Sequence, residues 1–192
     1  MPYDPKATRT KILQAATQEF AAVGMNGARV DRIAAAADVN KQGIYFHYGS
    51  KASLFEAVVE ARCAHVLDQV PFDPDDVPGF AGALFDYLTE NDDVVRLNTW
   101  QQLERPGGAD HGKAAYAPLV RALADSADFA ELEAAERRAR AQDILMLVMA
   151  LATAWQLSEE VLKKVPRLSR SRRSDLHRQA VVEAAAGLTN RR

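Results

Sequence analysis

Cysteine is nearly absent from the chain: Cys63 is the single one in 192 residues. One thiol excludes an intrachain disulfide framework and any zinc module built on cysteines. Long apolar runs are also lacking. The longest, Ile144 to Trp155, falls well short of the roughly 20 residues a membrane span needs. It is read as a buried core or interface helix, and no membrane partner is expected. Met1 to Thr10 carry no apolar core of the signal-peptide kind, so the expected compartment is the cytoplasm. Internal repeats, low-complexity tracts and strand-like alternation are missing as well.

Catalytic signatures are equally scarce. There is no P-loop, no glycine-rich dinucleotide turn, no Gly-x-Ser-x-Gly and no His-Glu-x-x-His. His47, His65, His111 and His177 lie far apart, without ligand spacing. The chain is therefore read as a non-enzyme with no catalytic residue, metal or cofactor. What is present is an ordinary globular composition, 48% apolar and 26% charged, long enough to bury a real core.

The formal net charge of -2 conceals an asymmetry. Residues 1–51 hold seven cations (Lys6, Arg9, Lys11, Arg29, Arg32, Lys41, Lys51) against four carboxylates, a balance of +3. The remaining 17 cations and 22 carboxylates give -5. A basic end on an acidic body is a mild pointer to nucleic acid at the basic end.

Helical periodicity runs almost throughout. Asp4-Pro5 opens a first helix with Ile12, Leu13, Ala16, Phe20 and Val23 on one face, stopped by Gly24 and the following Asn26-Gly27. Val30 to Ala37 forms a second, short helix. Asp38-Val39-Asn40 makes a three-residue turn, and Asn40 caps a third helix, Lys41 to about Tyr48. A fourth runs from Lys51 to about Gln69. Further helices are expected over 78–91, 92–104, 116–126, 128–140, 142–162 and 171–187, with a loop over 107–113. The fold class is all-α.

Two short helices joined by a three-residue turn read as a helix-turn-helix, whose second helix enters the DNA major groove. Lys41, Gln42, Tyr45 and His47 are able to reach DNA. Ile44 with Phe46 or Tyr48 must anchor the helix, and Gly43 leaves room for close backbone approach. The matching stretches are Thr10–Ala16, Phe20–Gly24, Val30–Ala34, Val39–Lys51 and Leu54-Phe55. On these residues the segment Arg9–Ala57 resembles the DNA-binding domain of the tetracycline-repressor (TetR) family of bacterial transcription regulators. The sequence departs from the family pattern at Asp38, in place of a turn glycine, at Arg29, in place of a Ser or Thr cap, and at Ala52, in place of an acidic residue.

The resemblance implies roles. Lys41, Gln42 and Gly43 sit where the family's recognition helix meets bases. Tyr45 and His47 sit where it contacts phosphate or base edges. Lys51 sits at the family's phosphate-binding lysine, and Arg29 and Arg32 are further phosphate candidates. The resemblance also implies a three-helix DNA-binding domain over residues 1–51 and a helical-bundle regulatory and dimerisation domain over 52–192. It implies a homodimeric repressor on a palindromic double-stranded operator, released by a small, largely apolar effector. Control by a protein partner without a small ligand is the alternative.

For the effector, the candidate lining is Phe85, Leu88, Trp100, Leu103, Tyr116, Met146 and Trp155, though aromatic residues at helical spacing serve equally as plain core. For the dimer interface, Leu145, Val148, Met149 and Ala152 form one apolar surface, and Val181, Val182 and Ala185 a second. A buried core helix explains the first of these as well.

Overall fold

The computed structural model describes residues 4–105 and 110–189, which are helical and connected by short turns, with no strand among them. The elements are α1 Pro5–Gly27, α2 Val30–Ala37, α3 Lys41–Tyr48, α4 Lys51–Gln69, α5 Val77–Glu90 and α6 Asp92–Glu104. They continue with α7 Asp110–Ala124, a 3-10 turn Ala127–Phe129, α8 Ala134–Leu157, α9 Glu160–Lys163 and α10 Arg170–Thr189. No described helix is long and apolar enough to cross a membrane.

Two compact units result: Met1–His65 with Asp93–Gly112, and Val66–Asp92 with Lys113–Arg192. The partition of roles at 51/52 therefore differs from the partition of packing. Most of α4 and nearly all of α6 pack with the first three helices.

The first unit is centred on Ile12, Ala16 and Phe20 of α1. Ile33 of α2, Ile44 of α3, Leu54, Phe55 and Val58 of α4 and Leu97 of α6 close over them. Phe20 meets Phe55 edge-on at 5.1 Å and 87°, the arrangement that ring quadrupoles favour. Asp4 caps α1 as its sequence implies, accepting from the amides of Lys6 and Ala7 at 2.9 and 3.3 Å. Of the expected stop, Gly24 and Asn26-Gly27, Gly24 forms a kink at φ 73 and the helical turns end at Gly27.

In the second unit α5 packs against α8 and α10, and α8 against α10. The core combines Phe80, Leu84, Phe85 and Leu88 of α5 with Ile144, Val148, Ala152 and Trp155 of α8 and Val181 and Ala185 of α10. Gly82 permits the close crossing: a Cβ there would lie 2.9 Å from Val182 Cγ2.

Three boundaries differ from expectation. The loop expected at 107–113 lies partly outside the described residues, and the chain is already helical from Asp110. The charged segment 134–140 and the apolar one fuse into a single helix, α8, because no breaker separates them. That helix ends at Ser158 (φ -77, ψ 150), before the Val165-Pro166 step expected to interrupt it.

Candidate nucleic-acid interface

The turn between α2 and α3 depends on Asp38. It stands in the left-handed region at φ 55, ψ 47, which Asp tolerates better than most non-glycine residues. Asn40 then caps α3, its Oδ1 accepting from Gly43 N at 2.6 Å. A Cβ on Gly43 would lie 3.3 Å from that oxygen, so the glycine serves the cap as well as leaving the backbone open.

Two side chains hold α3 down. Ile44 is fully buried, and Tyr48 nearly so. The Tyr48 hydroxyl donates to the Arg9 carbonyl at 3.1 Å, and the Arg9 guanidinium lies 4.6 Å over its ring. Burial pushes the Tyr48 phenol up from its ordinary pKa, and the nearby Arg9 charge opposes this. Of the two aromatic anchors weighed for α3, Tyr48 is the one used. Phe46 is 81% exposed. The spacing carried this signal: Tyr48 lies four residues from Ile44, whereas Phe46 lies two from each and so faces away.

The open face of α3 presents Lys41, Gln42, Tyr45 and Phe46, with His47 half-buried. The cations around it already have partners. Lys41 Nζ lies 3.1 Å from Asp31, and that hydrogen-bonded carboxylate raises the Lys41 pKa above its ordinary value. Arg32 pairs with Glu19 at 2.9 Å. Glu19 also accepts from the amide of Arg29 at 2.9 Å, which ties the residue before α2 to α1 but does not replace the missing Ser or Thr cap, whose oxygen would accept from an amide inside the first turn. The Arg29 side chain makes no cap bond. Lys51 Nζ donates to the carbonyls of Ala28 and Asn26 at 3.1 and 3.4 Å. An ammonium has three donors, so one is left for a phosphate.

Sequence reasoning missed a second layer, from α6. Arg96 donates to the Ala21 and Ala22 carbonyls at 2.8 and 3.2 Å. Glu104 accepts from the amides of Met25 and Asn26 at 2.7 and 3.0 Å. Trp100 packs where Gly24 lacks a side chain, since a Cβ there would lie 2.8 Å from the indole. These groups fix the kinked end of α1, on which the Ala28 and Asn26 carbonyls also depend. The partners lie more than seventy residues apart in sequence, and no local pattern marks them.

The residues considered for an effector are divided between the two units. Trp100 is half-buried against the first unit's core, and Leu103 is 69% exposed on α6. In the second unit Phe85 and Leu88 are buried in a filled core, Tyr116 is half-buried and Met146 is 63% exposed. Trp155 alone among the seven lines the 660 Å³ cleft between the end of α8, α9 and α10. Its other walls include Gln156, Glu160, Lys163, Arg170 and Asp175, so the cleft is charged rather than largely apolar. Lys163 and Arg173 approach the Trp155 ring at 5.9 and 5.4 Å.

The residues considered for dimerisation divide by burial. Leu145, Val148, Ala152, Val181 and Ala185 are buried within the protomer, so they have little surface to offer a partner. Met149 and Val182 are half-buried. The large apolar side chains left open on these helices are Met146, Leu147 and Leu157 of α8 and Leu176 of α10.

Residues 12–58 match the model for bacterial regulatory proteins of the tetR family, and residues 76–186 match the tetracyclin repressor-like C-terminal domain. The chain is 35% identical over 190 residues to the HTH-type transcriptional repressor SCO4008 of Streptomyces coelicolor, covering 98% of each. It is also similar to the crystal structure of SCO4942 from the same species, at 32% identity and TM-score 0.77, covering 94% of this chain and 97% of that one. NalD of Pseudomonas aeruginosa shares the fold at 20% identity and TM-score 0.64, covering 96% of this chain and 97% of that one. The two domain models and the near full-length relative show that this chain belongs to the TetR family of bacterial transcriptional regulators.

Proposed function

We propose that the chain is a repressor that binds a palindromic operator as a homodimer and is released by a small effector taken up by the second unit. The outward face of α3 carries the reading. Lys41, Gln42 and Tyr45 stand exposed on it, while Ile44 and Tyr48 hold its opposite side in the core. Gln42 can pair bidentately with adenine. A phosphate would add to the present partners of Lys51, exchange with that of Arg32 and meet the Arg29 guanidinium at the start of α2. Met146, Leu147 and Leu176 offer the apolar surface for a second copy. Two-fold symmetry would set the two α3 helices about 34 Å apart, one DNA turn.

The charged walls of the cleft beside Trp155 favour an effector with polar or charged groups over the largely apolar one implied by the resemblance. The other reading, control by a protein partner, holds if that cleft takes up no small molecule.

Footprinting the full chain on DNA flanking its own gene tests the proposal, together with sedimentation at micromolar concentration. The expected result is a protected palindrome and a dimer. A monomer, or uniform protection without a preferred site, overturns it.

A further inference from the structure

Phe46 is the most exposed of the large apolar side chains described. On a helix of about 100° per residue it stands about 160° around from both Ile44 and Tyr48. It therefore occupies the centre of the outward face of α3, directly opposite the anchors. Gln42 lies one turn before it on the same ridge. The Phe46 ring touches that of His47 edge-on at 5.3 Å and otherwise projects outward.

A phenyl ring cannot donate a hydrogen bond to a phosphate or a base edge. Exposed at the tip of a reading helix, it gains only by covering something apolar. The apolar group that the major groove presents is the C5-methyl of thymine. Gln42 and Phe46 are about 6 Å apart along the helix, and base pairs on one strand are about 3.4 Å apart. The two side chains thus meet steps at most about two base pairs apart.

We propose that Phe46 is a specificity residue that covers a thymine methyl in each operator half-site, close to the base pair read by Gln42. This rests on the reading of α3 as the groove-entering helix. The half-site should then hold an A·T pair at that place, and a G·C pair there would leave the ring against a bare polar edge.

The test uses the full chain and a random-sequence duplex pool. Duplexes retained by the wild-type chain are resynthesised with deoxyuridine in place of each thymidine in turn, which removes one methyl and leaves base pairing unchanged. At one thymidine per half-site the replacement should weaken wild-type binding by about fourfold, the effect of one buried methyl group. Phe46→Ala should bind the thymidine duplex more weakly than wild type does and should lose the distinction at that position only. Phe46→Leu should keep part of it. Because Phe46 lies outside the core, both variants should retain the wild-type circular dichroism and melting temperature.

If the deoxyuridine penalties are the same in Phe46→Ala and wild type at every position, the assignment fails. It also fails if Phe46→Ala binds as tightly as wild type, or if the substitution changes the oligomeric state of the DNA-free chain, which would place the ring in a protein interface. A pool that yields no enriched duplex for the wild-type chain overturns the operator reading itself instead.

Discussion

The two compact units are held together by different means. In the first, side chains reach across to the backbone of another element. Tyr48 holds the Arg9 carbonyl, Lys51 that of Ala28, Arg96 that of Ala21, and Glu104 the amide of Met25. In the second, α5, α8 and α10 meet mainly through apolar ridges, and the longest-range polar links join side chains, as in Arg178 with Asp86 at 2.7 Å and Gln156 with Thr89 at 3.1 Å. Bonds to backbone fix an element's orientation. Apolar packing fixes volume and tolerates repacking. The first unit is therefore built to hold α3 at a set angle, and the second to adjust.

Each unit contains one of the chain's two tryptophans, Trp100 and Trp155, so single-tryptophan variants can follow them separately. The largest expected effect is Phe20→Ala. It removes a fully buried ring that faces Phe55, at a cost of about 3–5 kcal/mol. Urea unfolding read at Trp100 should shift by that amount, and the signal at Trp155 should shift far less. Equal shifts at both would mean that the units unfold as one and would remove the contrast.

Next is Glu104→Ala, which strands two amides at the kinked end of α1. Bonds to a charged acceptor contribute about 1.5–3 kcal/mol, so the Trp100 transition should move by roughly that much. Glu104→Gln should recover part of the loss, since it keeps an oxygen acceptor. If Glu104→Ala costs nothing, backbone capture is not what holds the first unit.

The contrast between the units also governs how legible each was in the sequence. The capped, four-helix start reads correctly because its signals are local: Asp4 and Asn40 as caps, Asp38 in a tight turn, and Ile44 with Tyr48 one turn apart. The place of α6 in the same unit is not local. Nothing near Glu104 or Arg96 announces the end of α1 as a partner. In the second unit, periodicity marks Leu145, Val148, Ala152, Val181 and Ala185 as apolar faces but cannot say which surface covers them. Their burial is decided by α5, whose crossing with α10 depends on the missing side chain of Gly82. A wide apolar stripe reads the same whether it meets its own chain or another.

A smaller effect distinguishes the units by pH. His177 lies between Phe85 and Trp155, with ring centroids at 5.6 and 5.4 Å. Burial, assisted by the charge of Arg173, lowers its pKa below the ordinary 6.5. A depressed histidine pKa means that the unfolded chain takes up the proton first. Stability of the second unit should be intact above pH 6.5 and decline as the pH falls below it. The Trp155 transition should follow this course, the Trp100 transition should follow it much less, and His177→Phe should flatten the Trp155 profile. An unchanged profile in His177→Phe would assign the acid sensitivity to other groups.

The smallest expected effect tests whether the first unit trades stability for access to DNA. Asp31 pairs with Lys41 on the open side of the reading helix, with both side chains well exposed. So exposed a pair contributes little to folding. Asp31 also lies in the first turn of α2, where a negative charge is favourable by about 0.3–1 kcal/mol. Both contributions should be lost in Asp31→Asn, lowering the Trp100 transition by little more than that helix-end contribution. Binding to DNA should move the other way. If α3 meets DNA as proposed, the substitution frees Lys41 and removes a carboxylate from near the phosphates, so affinity should rise about two- to fivefold, the fold-change of one exposed pair. The salt dependence should steepen by about one counterion. Lower stability with tighter binding would show that the carboxylate restrains the reading face. Weaker binding would mean that Asp31 positions Lys41 for its base contact, and that the same orientation control seen at the end of α1 extends to the side chains of α3.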